Sequence, residues 1–312
     1  MIKQKINFRE YRDFGTLFNV TFKFVKQNAK AFFSSLLLIV GPMYLITGGL
    51  YGLYQHDTIQ SIGFGSSPFG RFGWTYFAFM FSAFLSHALL ISVVYHFMMV
   101  YKEKQEGESI SVSDISRSLF SNFGMFLSCF FGLLIITILL LAVIGGLAFL
   151  FYAGSPGLMI LFLFLVIIGM LLCFPNLLYI YMAAFLVCLK DQVGLGEAIS
   201  RVRFYMKENY WWTWVIIFVA YIGTSIASFI FSLPELIVTL ASTFSRTKGV
   251  LGGDGYGDDD SSAMLFIIFG MVYMIGTSLV HAILVLISGF HYYSLEEKHE
   301  GTGLLERINE IK

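Results

Sequence analysis

Six long apolar stretches constrain the fold of this chain more than any other feature. A helix needs about 20 mostly apolar residues to cross a bilayer. The stretches are apolar without alternation, which excludes a transmembrane β-barrel. Only 13% of the residues are charged, about half the share in soluble domains. The sequence therefore predicts an all-α integral membrane protein, a single polytopic domain with six transmembrane helices. These spans cover about residues 31–54, 74–101, 123–152, 157–189, 211–243 and 263–294.

The positive charges predict how the chain is oriented. Of the twenty lysines and arginines, all but Arg71, Arg246 and Lys248 lie before span 1, between spans 2 and 3, between spans 4 and 5, or after span 6. Because cytoplasmic segments carry the excess of positive charge, we expect both termini in the cytoplasm. The first thirty residues are charged and amphipathic, so we expect no cleaved signal peptide and a first span that remains as an anchor.

An amphipathic segment precedes the first, third and fifth spans. These segments cover about residues 8–27, 110–121 and 195–208. Each ends at an asparagine that aromatic residues follow, namely Asn28, Asn122 and Asn209. Asparagine is a good helix cap, and aromatic residues favour the membrane interface. We therefore expect the three asparagines to cap helices where the chain enters the bilayer. This predicts a repeat of three units, each an interfacial helix plus two spans. The alternative is three unrelated amphipathic linkers.

Helical spacing assigns an apolar face to each amphipathic segment. In the first segment, the predicted face consists of Phe14, Leu17, Phe18, Phe22 and Val25. In the second it consists of Val112, Ile115 and Leu119, and in the third of Leu195, Ala198, Ile199, Val202 and Met206. A fourth amphipathic helix is predicted over residues 302–311.

Two connections carry turn or loop signals. Residues 153–157 contain Gly and Pro, so spans 3 and 4 are expected to form an antiparallel hairpin. Residues 254–260 are rich in Asp and Gly, and clustered Asp oxygens suit calcium. The spacing fits no calcium-binding motif, which favours a solvated outer loop; whether the loop binds an ion stays open.

Several polar residues fall inside the spans. His87 and His281 lie near the middle of spans 2 and 6, and Asn176 follows Pro175 in span 4. Together these three residues could line a polar intramembrane path. The alternative is neutral side chains that hydrogen-bond between helices. Glu235 is expected at the outer end of span 5, with a buried carboxylate as the alternative.

Catalytic signals are weak. The six histidines form no HxxxH or HExxH pair, and no nucleophile elbow or P-loop occurs in a suitable context. The three cysteines form no CxxC pair. The sequence therefore predicts no catalytic residue, no metal site and no cofactor. The zero net charge predicts no nucleic-acid partner.

A family resemblance rests on the unit Phe14–Tyr54, its echoes at 112–152 and 195–241, and the ending Glu300-Gly301-Thr302-Gly303-Leu304-Leu305-Glu306-Arg307-Ile308. These residues resemble a family of uncharacterised Bacteroidota inner-membrane proteins, which is similar to the membrane domain of some glycerophosphodiester phosphodiesterases. The sequence has no counterpart of the soluble catalytic barrel of those enzymes, so the resemblance implies no such activity. It implies six spans in the inner membrane. Members of this family tend to be encoded beside a MoxR-type ATPase.

Two functions follow as hypotheses. The leading one is a non-enzymatic subunit of a multi-protein inner-membrane complex in envelope biogenesis, linked to that ATPase and contacting other membrane proteins. The alternative is a transporter or lipid-handling membrane protein with a midplane polar site.

Overall fold

The structure, a computed structural model, describes residues 5–60, 73–154, 156–252 and 260–301. Every regular element in these ranges is helical. The helices are α1 (Phe14–Ser35), a short π-helix (Leu36–Val40), α2 (Gly41–Gln60), α3 (Trp74–Glu103), α4 (Val112–Ser121), α5 (Phe123–Gly154), α6 (Pro156–Asp191), α7 (Leu195–Lys207), α8 (Tyr210–Gly252) and α9 (Asp260–Glu300). Six helical stretches among these described residues are long and apolar enough to span a membrane. The predicted all-α, multi-pass membrane architecture is confirmed. The predicted helix at 302–311 and nearly all of the acidic loop lie outside the described residues.

The first helix begins later than its amphipathic pattern predicts. Residues 5–13 are not helical, and α1 starts at Phe14. Asp13 Oδ1 accepts a hydrogen bond from the Thr16 backbone N–H at 2.8 Å, which satisfies one of the free donors of the first turn. Hydrogen bonds from the Thr16 hydroxyl and N–H lower the pKa of Asp13. The charged carboxylate of Asp13 therefore fixes the start of the helix.

The structure corrects the helix cap predicted at Asn28. α1 runs through this residue to Ser35, and Asn28 Nδ2 donates to the Phe24 carbonyl at 2.9 Å. The side chain thus bonds back to the preceding turn and leaves the helical backbone intact. The irregularity comes later, where the Gly41 N–H donates to the Leu36 carbonyl. This hydrogen bond joins residues five apart, as in a π-helix, and it widens the helix next to Pro42, which has no N–H to donate.

The described residues form two compact units. The first draws on Met1–Ala29, Val94–Ile222 and Leu284–Lys312, and the second on Lys30–Val93 and Gly223–Ile283. Each unit therefore joins segments that are far apart in the sequence, and tertiary packing holds these segments together.

An aromatic cluster forms part of the core of the first unit. The Phe24 ring lies 5.5 Å from Phe290 and 4.9 Å from Tyr101, and Phe8 lies 5.2 Å from Phe290 (centroid distances). Phe8 and Phe24 are almost fully buried, whereas Phe22, assigned to the apolar face, is 55% exposed. The predicted face of the first amphipathic segment is therefore right at Leu17, which is fully buried, and wrong at Phe22, because the buried side of α1 passes through Phe24.

The other two amphipathic helices bury most of the residues on their predicted faces, whereas Val112, Leu195 and Ile199 are only partly buried. Ile115 and Leu119 are buried in α4, and Ala198, Val202 and Met206 in α7. α7 packs against α6 and α5, so its apolar face is covered by protein. α4 begins with a capping box between Ser111 and Asp114. Lys104 Nζ lies 2.8 Å from Asp114 Oδ2, and this contact lowers the pKa of Asp114 to about 2.

The hairpin of α5 and α6 is exposed over most of its length. Only 6% of the most apolar stretch of each helix is buried, against 50% for α3. Large apolar side chains such as Leu139, Phe149 and Ile167 are more than half exposed. In a membrane protein, such a surface faces lipid or another membrane protein.

Glycines bring α2 and α9 together in the second unit. A Cβ at Gly48 would lie 2.5 Å from Met271 Cα, and one at Gly270 would lie 2.5 Å from the Gly48 carbonyl oxygen. A Cβ at Gly52 would overlap the Phe266 carbonyl. The small-xxx-small spacing of Gly48 and Gly52 therefore mediates close helix packing. Gly146, which shares this spacing in α5, has no such neighbour within 4 Å.

Candidate functional site

Polar side chains recur at four-residue spacing on two helices of the second unit. Residues four apart share one helix face, and eight residues span about 12 Å along the axis. On α2 these residues are Thr47, Tyr51 and Gln55, and on α9 they are Tyr273, Thr277 and His281. The rings of Tyr51 and Tyr273 lie 5.5 Å apart. The two polar stripes therefore meet inside the unit.

Glu235 is at the centre of the strongest polar cluster. It is only 7% exposed and lies ten residues inside the apolar stretch Tyr210–Ser245. Its Oε1 accepts from Gln55 Nε2 at 3.0 Å, from the Thr239 hydroxyl at 3.2 Å and from the Tyr51 hydroxyl at 3.4 Å. Gln55 Nε2 also donates to the Tyr51 hydroxyl at 2.9 Å. The expected boundary position of Glu235 is thus wrong: its carboxylate is buried among three neutral side chains.

A group of hydroxyls lies one helical turn from Tyr51 along α2. The Thr47 hydroxyl is 2.5 Å from that of Ser82 and 2.7 Å from that of Ser86, and all three residues are buried. Towards the other end of α2, the Thr75 hydroxyl donates to Asp57 Oδ2 at 2.9 Å. Polar contacts in this unit therefore extend from Asp57 to Thr47.

His87 and His281 come together in the second unit. Their ring centroids are 6.3 Å apart and their planes nearly perpendicular. Both rings are partly buried, and His87 follows Ser86 of the hydroxyl group directly. Of the predicted polar path, this pair is the part that the structure brings together.

Asn176, the third residue of the predicted path, belongs to the first unit. It is 3% exposed, and its Nδ2 donates to the Tyr210 carbonyl at 3.4 Å. Pro175 lies inside α6 and cannot donate to the Leu171 carbonyl four residues earlier. The indole N–H of Trp214 donates to that carbonyl at 3.2 Å. The Leu171 carbonyl, which Pro175 leaves without a backbone donor, thus receives a hydrogen bond from a side chain of α8. A path that includes Asn176 stays a prediction.

We expect Trp214→Phe to lower the free energy of unfolding by about 1 kcal/mol, a usual cost for an interhelical hydrogen bond in a membrane. Phenylalanine keeps an aromatic ring but leaves the Leu171 carbonyl without its donor. Unfolding in mixed detergent micelles measures the change. Trp211→Phe is the matched control, because Trp211 is 63% exposed. Equal losses in both variants would contradict the role of the Trp214 indole.

The two other predicted caps lie at junctions between helices. Asn122 separates α4 from α5, and its Nδ2 donates to the Ser118 carbonyl at 3.0 Å, so the side chain caps the end of α4. Its Oδ1 accepts from Gln192 at 2.9 Å. Asn209 separates α7 from α8, and its Oδ1 accepts from Lys298 Nζ at 2.6 Å. Both side chains therefore form hydrogen bonds between the junction and other segments of the chain, and they do not cap the following span.

A second polar cluster, in the first unit, was not predicted. Lys190 Nζ forms a short ion pair with Glu296 Oε1, and the side chains are 17% and 9% exposed. The ammonium also lies 5.3 Å from the ring centroids of Tyr292 and Tyr293. Nearby along α9, His291 Nε2 lies 3.0 Å from the buried Thr213 hydroxyl. Lys190 and Glu296 are 106 residues apart in sequence, so local patterns could not pair them.

The signal for the Glu235 cluster was present in the sequence. The four-residue spacing of Thr47, Tyr51 and Gln55 marks a polar stripe on an otherwise apolar helix. Such a stripe in a membrane span is costly unless it faces the protein interior. The stripe therefore indicated a polar interior, although not its partner Glu235.

Comparison with known proteins adds no relative: no family model, curated protein or solved structure matches the chain.

Proposed function

We propose that this protein is a transporter that passes protons through the polar interior of the second unit, with Glu235 as its proton-binding carboxylate. The observation that carries the proposal is the burial of this carboxylate inside a membrane-spanning helix. An ionisable group in such a place is costly and marks proton or ion pathways.

The partners of Glu235 suit both of its protonation states. The Gln55 NH₂ group, which faces the carboxylate, can only donate, whereas the hydroxyls of Tyr51 and Thr239 can donate or accept. The ionised carboxylate accepts from all three, as in the present geometry. Once protonated, it donates to one of the two hydroxyl oxygens, which rotates to accept. The site can therefore take up and release a proton without moving a helix.

His87 and His281 supply a second proton-binding position. An imidazole ring can accept a proton at one nitrogen and donate one from the other. Thr47 lies one turn of α2 from Tyr51, and its hydroxyl contacts those of Ser82 and Ser86 on α3. Ser86 directly precedes His87 in the sequence. In the proposal, these hydroxyls relay protons between the carboxylate and the imidazoles.

Proton flux into liposomes tests the proposal. Purified protein is reconstituted with a pH-sensitive dye inside, and a potassium diffusion potential drives proton uptake. Wild-type protein is expected to acidify the lumen, and Glu235→Gln to reduce uptake to the level of protein-free liposomes, because an amide cannot exchange the proton. Glu208→Gln removes an exposed carboxylate of the first unit and is expected to behave as wild type. Wild-type uptake no faster than that of protein-free liposomes would refute the proposal.

The exposed hairpin favours a second candidate, an integral subunit of a multi-protein inner-membrane complex. The surfaces of α5 and α6 are apolar and open along most of both helices, and a partner membrane protein could cover them. The family resemblance suggests a complex in envelope biogenesis linked to a MoxR-type ATPase. The test is a pull-down of the protein tagged at its own locus, extracted in mild detergent and analysed by quantitative mass spectrometry. Stoichiometric partners support this candidate, and a monodisperse protein without partners refutes it.

A further inference from the structure

A cavity lies between the N-terminal segment, residues 5–13, and the end of α3, within the first unit. Its volume is about 330 Å³, near the lower end of the range of about 300–1,000 Å³ for small-molecule sites. The lining residues are Lys5, Ile6, Asn7, Phe8, Arg9 and Lys102. This cavity shares no residue with the Glu235 cluster.

The N-terminal segment is held firmly at this place. Lys5 Nζ donates to the carbonyls of Lys102 at 2.8 Å and Lys104 at 2.5 Å. The Ile6 N–H donates to the Tyr101 hydroxyl at 3.0 Å, and Phe8 is only 3% exposed. The Arg12 N–H donates to the Ser294 hydroxyl at 2.8 Å. The cavity is therefore built by a folded segment with fixed contacts.

The lining is strongly positive. Lys5, Arg9 and Lys102 are cations, and none of the six lining side chains is acidic. Acidic groups also lie at this segment: Glu106 Oε1 accepts from the Lys5 backbone N–H at 2.8 Å, and Glu10 Oε2 lies 3.2 Å from the Arg12 guanidinium. Lys102 Nζ lies 5.8 Å from the ring centroid of Tyr293, which positions the ammonium. Three positive charges in one concave site favour an anion with several oxygens, and phosphate suits both lysine and arginine.

The position along the chain indicates where such an anion comes from. Lys102 is the penultimate residue of the membrane-spanning stretch Trp74–Glu103. The ends of membrane-spanning helices lie at the depth of lipid headgroups. Basic sites at that depth bind anionic headgroups.

We propose that this cavity binds the phosphate group of an anionic lipid headgroup, with Arg9 and Lys102 as its ligands and Lys5 closing the site. The chemistry that it recognises is a phosphate-bearing anion, and the lipid is its source. This role is independent of proton transport.

The test measures binding of short-chain phosphatidate to the purified protein in neutral detergent, with short-chain phosphatidylcholine as the comparison lipid. We expect tighter binding of phosphatidate by wild type, and dissociation constants raised about fivefold by Arg9→Gln and by Lys102→Gln, since each basic residue near a membrane surface contributes about 1 kcal/mol. Arg203→Gln is the charge-matched control, because Arg203 lies on the exposed face of α7. Lys102→Arg keeps the charge and is expected to bind as wild type.

The outcomes separate the sources of the ligand. If glycerol 3-phosphate fails to displace phosphatidate, the site belongs to a lipid; if it competes at similar concentration, the site takes a soluble phosphate compound. The proposal is overturned if wild type does not prefer phosphatidate to phosphatidylcholine, or if Arg9→Gln and Lys102→Gln bind as Arg203→Gln does. The wild-type preference needs no variant, so a variant that fails to fold leaves the test intact.

Discussion

Replacing Gly52 by alanine is expected to lower the free energy of unfolding by about 3 kcal/mol, the upper end of the usual cost of overpacking. The new Cβ would overlap the Phe266 carbonyl and lie 2.6 Å from Ile267 Cα. These obstacles are backbone atoms of α9, so no side-chain rotation can relieve the clash. α2 and α9 must separate, and the packing between them is lost. Detergent-induced unfolding, followed by circular dichroism, measures the change.

Two other glycines serve as controls for Gly52→Ala. A Cβ at Gly146 in α5 meets no atom within 4 Å, so Gly146→Ala is expected to stabilise the helix by up to about 1 kcal/mol. A Cβ at Gly49 would meet the Met271 methyl group at 3.3 Å, and this flexible side-chain end can shift. If all three variants unfold alike, the close contact of α2 with α9 is refuted.

Replacing Lys190 by methionine is expected to cost about 3–5 kcal/mol, the usual loss when one partner of a buried ion pair is removed. The Glu296 carboxylate would remain largely buried without the ammonium, and its Oε2 has no hydrogen-bond partner among the described residues. Glu296→Gln is expected to cost less. Lys190 would keep the rings of Tyr292 and Tyr293 and the Asp191 carboxylate 3.8 Å away.

A double variant separates the ion pair from the packing of its side chains. Lys190→Met with Glu296→Leu removes both charges, and apolar replacements of buried ion pairs are often close to neutral. We therefore expect the double variant to be more stable than Lys190→Met alone. Unfolding in mixed micelles checks the order of stability. A double variant that loses the sum of the losses measured for Lys190→Met alone and Glu296→Leu alone would contradict direct coupling of the two charges.

Much of the fold could be predicted from the chain alone. The number and type of the spans follow from length and hydropathy, because a backbone in hydrocarbon must satisfy its own hydrogen bonds. The periodicity of α4 and α7 marked most of their buried sides. The predictions failed where one side chain decides the local structure. Asp13 starts α1 after the predicted position, and Asn28 bonds back to its own helix.

The polar sites could be predicted only in part. His87 and His281 stood out because ionisable groups are rare in membrane spans, and the structure places their rings together. Glu235 follows Pro234, near the point where a span of ordinary length would end. The sequence therefore suggested that Glu235 lies at the outer boundary of the membrane. Helix α8 continues past the proline to Gly252, and the Glu235 carboxylate is buried inside the second unit.

The sequence by itself determined that this chain is helical, crosses the membrane and carries polar stripes on apolar helices. These properties depend on composition and on spacing within single helices, which local physics controls. Only the tertiary structure decided which partners the charged groups meet. It brings Glu235 to Gln55, Lys190 to Glu296, and Lys5 to the backbone carbonyls at the end of α3, in each case from distant segments. The physical reason is that a buried charge is stabilised by its neighbours in space, and helix packing chooses those neighbours.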